Sequence, residues 1–159
     1  MVSKSISRAL TPGELRYAMQ VFGTALDYKR VKVHNERAYF FQPSDTAITP
    51  DGEVYFPPAS YKPDFSGSIT SAAWLIHELT HCWQYQQGMW VRVRAMLNRS
   101  YEYGDLSKSQ KSFLSYGIEA QASIVEDYFL VAHGKTPQQG RGAYQDYVNL
   151  IPFAVGKNR

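Results

Sequence analysis

Hydrophobic residues recur every three or four positions in the N-terminal segment LTPGELRYAMQVFG, and this spacing predicts a helix with one apolar face. Thr11 is the expected N-cap, Pro12 occupies the first helical position, and Glu14 completes a capping box. Gly23 follows the last apolar residue, which is where glycine commonly ends a helix.

Two longer segments in the second half of the chain show the same helical spacing. The first runs from about residue 69 to 87 and is followed by Gly88. The second is predicted over 109–133, with Gly134 as its C-terminal cap. A short amphipathic helix is expected near the C-terminus. The segment MWVRVRAML, after Gly88, fits a helix or a strand equally well.

Between the first two helices, hydrophobic and polar residues alternate, which predicts short strands. The segment YKRVKVHN alternates in this way, and AYFFQ is interpreted as a second strand. In AITPDGEVYFPP, a tight turn at 49–52 joins two extended segments, and the paired prolines end the second. The pattern predicts an α+β fold in which an N-terminal helix and a small antiparallel sheet accompany two long helices packed on each other.

Composition narrows the class of protein. A chain of 159 residues with 44% hydrophobic content predicts a single folded domain, 1–159. The net charge of +3 is scattered, which argues against nucleic-acid binding, and a single cysteine excludes an internal disulfide. No apolar run is long enough for a membrane span, and no secretory signal is recognisable. Synthesis as a cytoplasmic chain is therefore expected.

Two of the four histidines flank a glutamate in the second helical segment, which contains the string HELTH. On a helical wheel His81 lies about 40° and Glu78 about 100° from His77, so the three side chains share one side of the helix. The opposite side is apolar. The helix is therefore expected to meet the core on one side and a polar site on the other, because burying three such groups without compensation is costly.

This spacing is typical of zinc hydrolases. Imidazoles one turn apart can bind the same Zn²⁺, and a glutamate after the first histidine can act as general base on a water molecule. We therefore predict one zinc ion per chain, with His77 and His81 as ligands and Glu78 as the base. The alternative is that the three groups make ordinary buried hydrogen bonds. Cys82 is disfavoured as a ligand because it lies about 100° from His81 on the wheel.

A catalytic zinc ion commonly has three protein ligands, so a further ligand is expected from another segment. Glu119 is favoured, because it lies on the shoulder of the apolar face of the third helix beside small residues. Glu126, Asp127 and His133 remain alternatives. Glu126 lies about 10 Å further along the helix axis and cannot share an ion with Glu119. One of these two glutamates is therefore expected to be a salt-bridge partner or a solvated charge.

A tyrosine, histidine or arginine near the metal would be expected to stabilise the transition state of hydrolysis. Tyr116 and His133 are the candidates for this role, and Tyr103 is a third. Because the chain has twelve tyrosines, most of which must serve packing, the sequence does not single one of them out.

The motif and its surroundings resemble the gluzincin class of metallopeptidases, in which HExxH is joined by a glutamate on a downstream helix. The chain is more closely similar to small bacterial Vgr-related proteins. These are similar in turn to a metallopeptidase-like domain found with contractile injection systems, which reads HExxHxxQ. The segments that carry the resemblance are LTPGELRYAMQVFGTALDYKRVKVHN, AITPDGEVYF, DFS, LIHELTHCWQYQQG and YGIEAQASIVEDYF.

The resemblance implies a minimal zincin-like fold in which His77, His81 and Glu119 are ligands and Glu78 is the base. It also implies a type VI secretion or injection-system context, without naming a substrate. Gluzincins often carry an acidic residue four positions after the third ligand, which supports a metal-binding histidine. Here that position is Ser123, so a different residue is expected to orient the histidines.

Three functions are compatible with these observations. The first is a zinc-dependent metallopeptidase, in which the strand around 53–56 would pair with a peptide backbone if it lies at the sheet edge. The second is an amide hydrolase that attacks peptidoglycan peptides and is delivered as an effector. The third is a non-catalytic, secretion-associated accessory protein whose zinc is structural or vestigial. Expected partners are a secretion-spike or immunity protein, with export through the secretion apparatus.

Overall fold

A computed structural model describes residues 7–89, 91 and 99–154. Most of the segment MWVRVRAML, which the sequence left open between helix and strand, lies outside the described residues. The described part is α+β, as predicted, and combines small β-sheets with four α-helices. These are α1 (Pro12–Phe22), α2 (Ile69–Gln86), α3 (Ile118–Ala132) and α4 (Tyr144–Leu150).

The strands form a three-stranded and a two-stranded sheet. They are β1 (Ser7–Arg8), β2 (Val33–Asn35), β3 (Val54–Phe56), β4 (Gly104–Asp105) and β5 (Gly140–Arg141). The first sheet has the order β1-β2-β3, with β2 antiparallel to β1 but parallel to β3, and β4 pairs with β5 in parallel. The prediction of an antiparallel sheet is therefore wrong for β2 and β3. A parallel pair needs a long connection, which residues 36–53 provide.

The segment AYFFQ is not a strand, contrary to the prediction from its pattern. It lies in a loop in which the side chain of Phe40 is 93% exposed and that of Phe41 is 68% exposed. The buried amide of Gln42 bonds to this loop, since its Oε1 accepts from the Ala38 N–H at 2.7 Å and its Nε2 donates to the Thr46 carbonyl at 2.7 Å. A side chain thus supplies bonds that a neighbouring strand would have made.

The capping box predicted for α1 is present. The hydroxyl of Thr11 accepts from the Glu14 N–H, and the Glu14 carboxylate accepts from the Thr11 N–H. The same carboxylate is buried, pairs with Arg8 at 2.7 Å and accepts from the Phe65 N–H at 2.7 Å. A residue that the sequence assigned to a local cap therefore also fixes α1 against β1 and against the segment that leads into α2.

The start of α3 was predicted too early. The helix begins at Ile118, and a single 3₁₀ turn at Phe113–Ser115 precedes it. Within the predicted first turn, the Ser109 hydroxyl accepts from the Lys111 N–H at 3.2 Å. Serine side chains compete in this way with helical backbone hydrogen bonds, which accounts for the late start. The end of the helix agrees with the prediction, because Gly134 follows it with φ of 75°.

Helix α2 packs mainly on α3, as the sequence predicted for its two long helices. Leu75, Ile76 and Leu79 of α2 are buried in the core, together with Ile124 and Val125 of α3. Helix α2 ends at Gln86, within a residue of the predicted end. Because the histidine motif belongs to α2, it lies at this helix–helix interface. None of the helices in the described part of the chain is long and apolar enough to cross a membrane.

Candidate metal centre

Helices α2 and α3 bring together the three residues that the sequence predicted as metal ligands. One donor atom from each of His77, His81 and Glu119 lies within 4.8 Å of the others. The Glu119 Oε1 atom is 3.2 Å from His77 Nε2 and 2.7 Å from His81 Nε2. Both histidines are buried and Glu119 is partly exposed, so the cluster could hold a metal ion at one end of a buried interface.

Each histidine is oriented through its second ring nitrogen. The Nδ1 atom of His77 is 3.0 Å from Glu126 Oε1, and the Nδ1 atom of His81 is 2.7 Å from Gln84 Oε1. The Gln84 amide also donates to the carbonyl of Ile118 at 3.0 Å, which fixes the amide oxygen toward the ring. A proton held on Nδ1 by these partners leaves the Nε2 lone pair available for a metal.

The donor set fits a zinc ion. In a tetrahedral site with bonds of about 2.0–2.1 Å, neighbouring ligand atoms are about 3.3 Å apart. The 3.2 Å separation between Glu119 and His77 matches this value. The 2.7 Å separation between Glu119 and His81 is instead the length of a charge-assisted hydrogen bond. Two imidazoles and one carboxylate form a ligand set of zinc hydrolases, with a fourth position left open.

Hydrogen bonds within the cluster shift the pKa values of its three groups. Burial disfavours the charged imidazole of His77, but hydrogen bonds to Glu119 and Glu126 outweigh this effect and raise its pKa to about 10. The pKa of His81 is raised in the same way, against burial, by its hydrogen bond to Glu119. Burial opposes the charge of Glu119, yet the two imidazoles lower its pKa. A metal that binds here must therefore displace protons.

The carboxylate of Glu78 lines the same cleft as the cluster. Its Oε1 atom accepts a hydrogen bond from the hydroxyl of Thr49 at 2.9 Å. Burial raises the pKa of Glu78, while His77 and His81 oppose this shift. A buried carboxylate with a raised pKa is suited to accept and release a proton. Thr49 is a contact that the sequence reasoning did not find.

The other sequence-predicted candidates lie elsewhere. The hydroxyl of Tyr116 pairs with that of Ser109 at 2.6 Å, and His133 caps the C-terminal end of α3. The carboxylate of Asp127 is buried and accepts from the hydroxyl of Tyr103 at 2.6 Å. None of these residues is among the described residues that line the cleft. The structure therefore does not bring them to the cluster.

Tyr101 lies closer to the cluster than any tyrosine that the sequence singled out. Its ring centroid is 5.8 Å from that of His77, and it lines the cleft together with Glu119. Burial and the nearby charge of Glu119 raise the pKa of Tyr101 to about 12, so its hydroxyl remains a donor at neutral pH. Nothing in the surrounding polar segment NRSYEYGD distinguished this tyrosine from the others.

Two further residues support the cluster; Gln84 had no predicted role, and the role of Glu126 had been left open. Gln84 is the glutamine of the pattern HExxHxxQ, which the sequence matches, and the structure shows it holding His81. Glu126 had been considered as a ligand, a salt-bridge partner or a solvated charge, and it is the salt-bridge partner of His77. Together these two residues support the histidines, a role for which the position of Ser123 supplies no acidic residue.

The cleft around the cluster has a volume of about 1030 Å³. The loop 39–50 contributes to its lining through residues that include Tyr39, Phe41, Ile48 and Pro50. The backbone of Tyr55 in β3 exchanges two hydrogen bonds with Ile48, at 2.8 and 3.1 Å. At this point the outer side of β3 is therefore occupied by the chain itself. A peptide could not add to β3 there without displacing this loop.

A curated relative and a solved structure both relate this chain to the same protein. No family model matches the chain. The type VI secretion system spike protein VgrG2b of Pseudomonas aeruginosa is 34% identical in an alignment of 131 residues, which covers 77% of this chain but 13% of the spike protein. The solved effector domain of Pseudomonas aeruginosa VgrG2b matches with a TM-score of 0.71 and 30% identity, over 89% of this chain and 80% of that domain. The chain therefore belongs to the family of the VgrG2b effector domain, a Vgr-related family of type VI secretion.

Proposed function

We propose that this chain is a zinc-dependent metallopeptidase that acts as a type VI secretion effector. His77, His81 and Glu119 would hold one zinc ion, and Glu78 would serve as general base. The observation that supports this proposal is the convergence of two Nε2 atoms and one carboxylate oxygen within 4.8 Å, in the cleft that Glu78 also lines. Supporting contacts to both Nδ1 atoms are what a metal-binding histidine requires.

The chain's own residues have distinct roles in this proposal. A bound zinc ion would act as a Lewis acid and lower the pKa of a water molecule. Glu78 would accept a proton from the attacking water and pass it to the leaving amine, and Thr49 would hold the carboxylate in position. Tyr101, whose hydroxyl stays protonated at neutral pH, would donate a hydrogen bond to the oxygen that becomes negatively charged.

Membership of the VgrG2b effector-domain family supports the biological setting. The matched protein is named a secretion spike, and its solved domain is named an effector. We propose that this chain is exported through a type VI apparatus in association with a spike protein, and that an immunity protein protects the producing cell. The zincin-like character of the fold is part of the same proposal, since the α2–α3 pair carries the ligand set.

Metal removal tests the proposed function. We expect elemental analysis to find one zinc ion per chain, chelation to abolish hydrolysis of casein, and added zinc to restore it. Purified peptidoglycan assayed in parallel would reveal a cell-wall substrate instead. A chain that binds one zinc ion and hydrolyses neither substrate would contradict the enzymatic role and favour a structural zinc in an accessory protein.

Replacing Glu126 by glutamine should weaken zinc binding about 10- to 100-fold without removing a ligand. The reason is that Glu126 holds the Nδ1 atom of His77 at 3.0 Å, and an uncharged amide would hold it less firmly. Competition with a fluorescent zinc chelator measures the affinity. Glu102→Gln, at an exposed position, is the matched control and should bind zinc as the wild type does. Equal affinities for the two variants would show that Glu126 does not support the site.

A further inference from the structure

We propose that the cleft recognises polypeptide segments by a large apolar or aromatic side chain, which packs on the ring pair of Tyr39 and Phe41. We call this pair the aromatic wall. The inference rests on the proposed function, because it names the substrate class of the same site. It favours protein substrates over the short peptides of peptidoglycan, whose side chains are small or charged.

The first support is the unusual exposure of the loop that carries the wall. Phe40 is 93% exposed and Phe41 is 68% exposed, more than any other large hydrophobic residue described. Isolated exposed apolar residues are common on proteins, but an apolar surface continuous with a cleft usually marks a binding site. Tyr39 and Phe41 line the cleft that also contains His77 and Glu78.

The second support is that the loop is held in shape from within. Gln42 is only 2% exposed, and its amide nitrogen donates to the carbonyls of Thr46 at 2.7 Å and Tyr55 at 3.1 Å. The side chain of Arg37 donates to the carbonyl of Gln42 at 2.8 Å. A loop fixed by buried hydrogen bonds offers a preformed surface, so a ligand that packs on it loses less free energy in ordering it.

The third support is the geometry of the three aromatic rings. The rings of Tyr39 and Phe41 are parallel within 2°, with centroids 5.3 Å apart. The ring of Phe40 stands at 85° to that of Phe41 and is not among the described residues that line the cleft. Phe40 and Phe41 are neighbours and both are exposed, but only Phe41 lines the cleft.

Charge favours a polypeptide over a membrane as the occupant. Residues 36–53 contain four acidic residues and one arginine. Anionic lipid surfaces attract clusters of lysine and arginine, and this segment would be repelled by them. A peptide whose apolar side chain is flanked by lysine or arginine complements the same charges.

Peptide binding to the Glu78→Gln protein tests the inference without relying on activity. The probes are fluorescein-labelled peptides of one lysine-flanked sequence that carry Phe, Leu, Ala or Glu at a single position. We expect fluorescence anisotropy to show about tenfold or tighter binding for the Phe peptide than for the Ala peptide. Adding Phe41→Ala should remove this difference, and adding Phe40→Ala should leave it.

Far-UV circular dichroism establishes that each variant is folded, and Phe41→Leu should keep most of the discrimination. Equal losses in the two alanine variants, or equal binding of all four peptides, would overturn the inference. So would equally tight binding of a peptidoglycan stem peptide, or phenylalanine-dependent binding to vesicles of anionic phospholipid instead of peptide.

Hydrolysis by the wild-type protein is measured separately, so the inference and the proposed function can fail independently. Peptide binding that depends on Phe41 without any hydrolysis would leave the aromatic wall as a recognition site and refute the peptidase. Hydrolysis without preference for an apolar residue would support the peptidase and refute the aromatic wall as a recognition site.

Discussion

Replacing Glu78 by glutamine should lower hydrolysis about 10²- to 10⁴-fold while leaving one zinc ion bound. Glutamine has nearly the same shape and can still accept the hydrogen bond from Thr49, but its amide cannot take up a proton. Glu78 is not one of the three clustered donors, so the ligand set is unchanged. The measurement is kcat on a fluorogenic peptide, with zinc content determined on the same sample.

His77→Ala provides the contrast for this variant, because it removes a ligand and should abolish both zinc binding and hydrolysis. If Glu78→Gln retained wild-type hydrolysis, a different general base would be required. If the biological effect survived in Glu78→Gln but was lost in His77→Ala, the zinc ion would be structural and the accessory function would be favoured.

Replacing His81 by alanine should reduce the zinc content from one ion per chain to almost none. The variant loses one of the three donors and leaves the Glu119 carboxylate without its 2.7 Å partner. It also leaves the buried Gln84 oxygen without a donor, which costs about 1–3 kcal/mol of stability even without metal. Elemental analysis measures the metal. Thermal unfolding with and without zinc measures the lost stabilisation, since a ligand that binds only the folded state raises Tm.

His133→Ala is the matched control, because this histidine lies at the end of α3 and outside the cluster. It should keep its zinc ion and its zinc-dependent rise in Tm. Stoichiometric zinc in His81→Ala would contradict the proposed ligand set. Stoichiometric zinc in Glu119→Gln would point to a different third ligand.

The helices were more predictable than the strands, although α3 begins later than predicted. Helix α2 ends within a residue of its predicted end because a continuous pattern and a following glycine define it locally. The segment AYFFQ has the composition of a strand, yet Phe40 and Phe41 are exposed in a loop. Strand formation depends on a pairing partner elsewhere in the chain, and here the buried Gln42 bonds to the loop instead.

The candidate site also has a part that the sequence predicted and a part that it did not. That His77, Glu78 and His81 share one side of a helix follows from the sequence, because helical geometry relates residues one turn apart. The position of Glu119 on the shoulder of a second helix indicated its approach to them. The role of Glu126 did not follow, since a shoulder position is equally compatible with a solvated charge until the two helices are packed.

By itself, the sequence determined which residues could act together within one helix, and it favoured Glu119 over Glu126, Asp127 and His133 as the residue that joins them. Only the tertiary structure decided which groups hold them in place: Thr49 on Glu78, Gln84 on His81, Glu126 on His77 and Tyr101 beside Glu119. The physical reason is the range of the interactions. Spacing within a helix is set by local backbone geometry, whereas most of these contacts join segments that meet only when the core has packed.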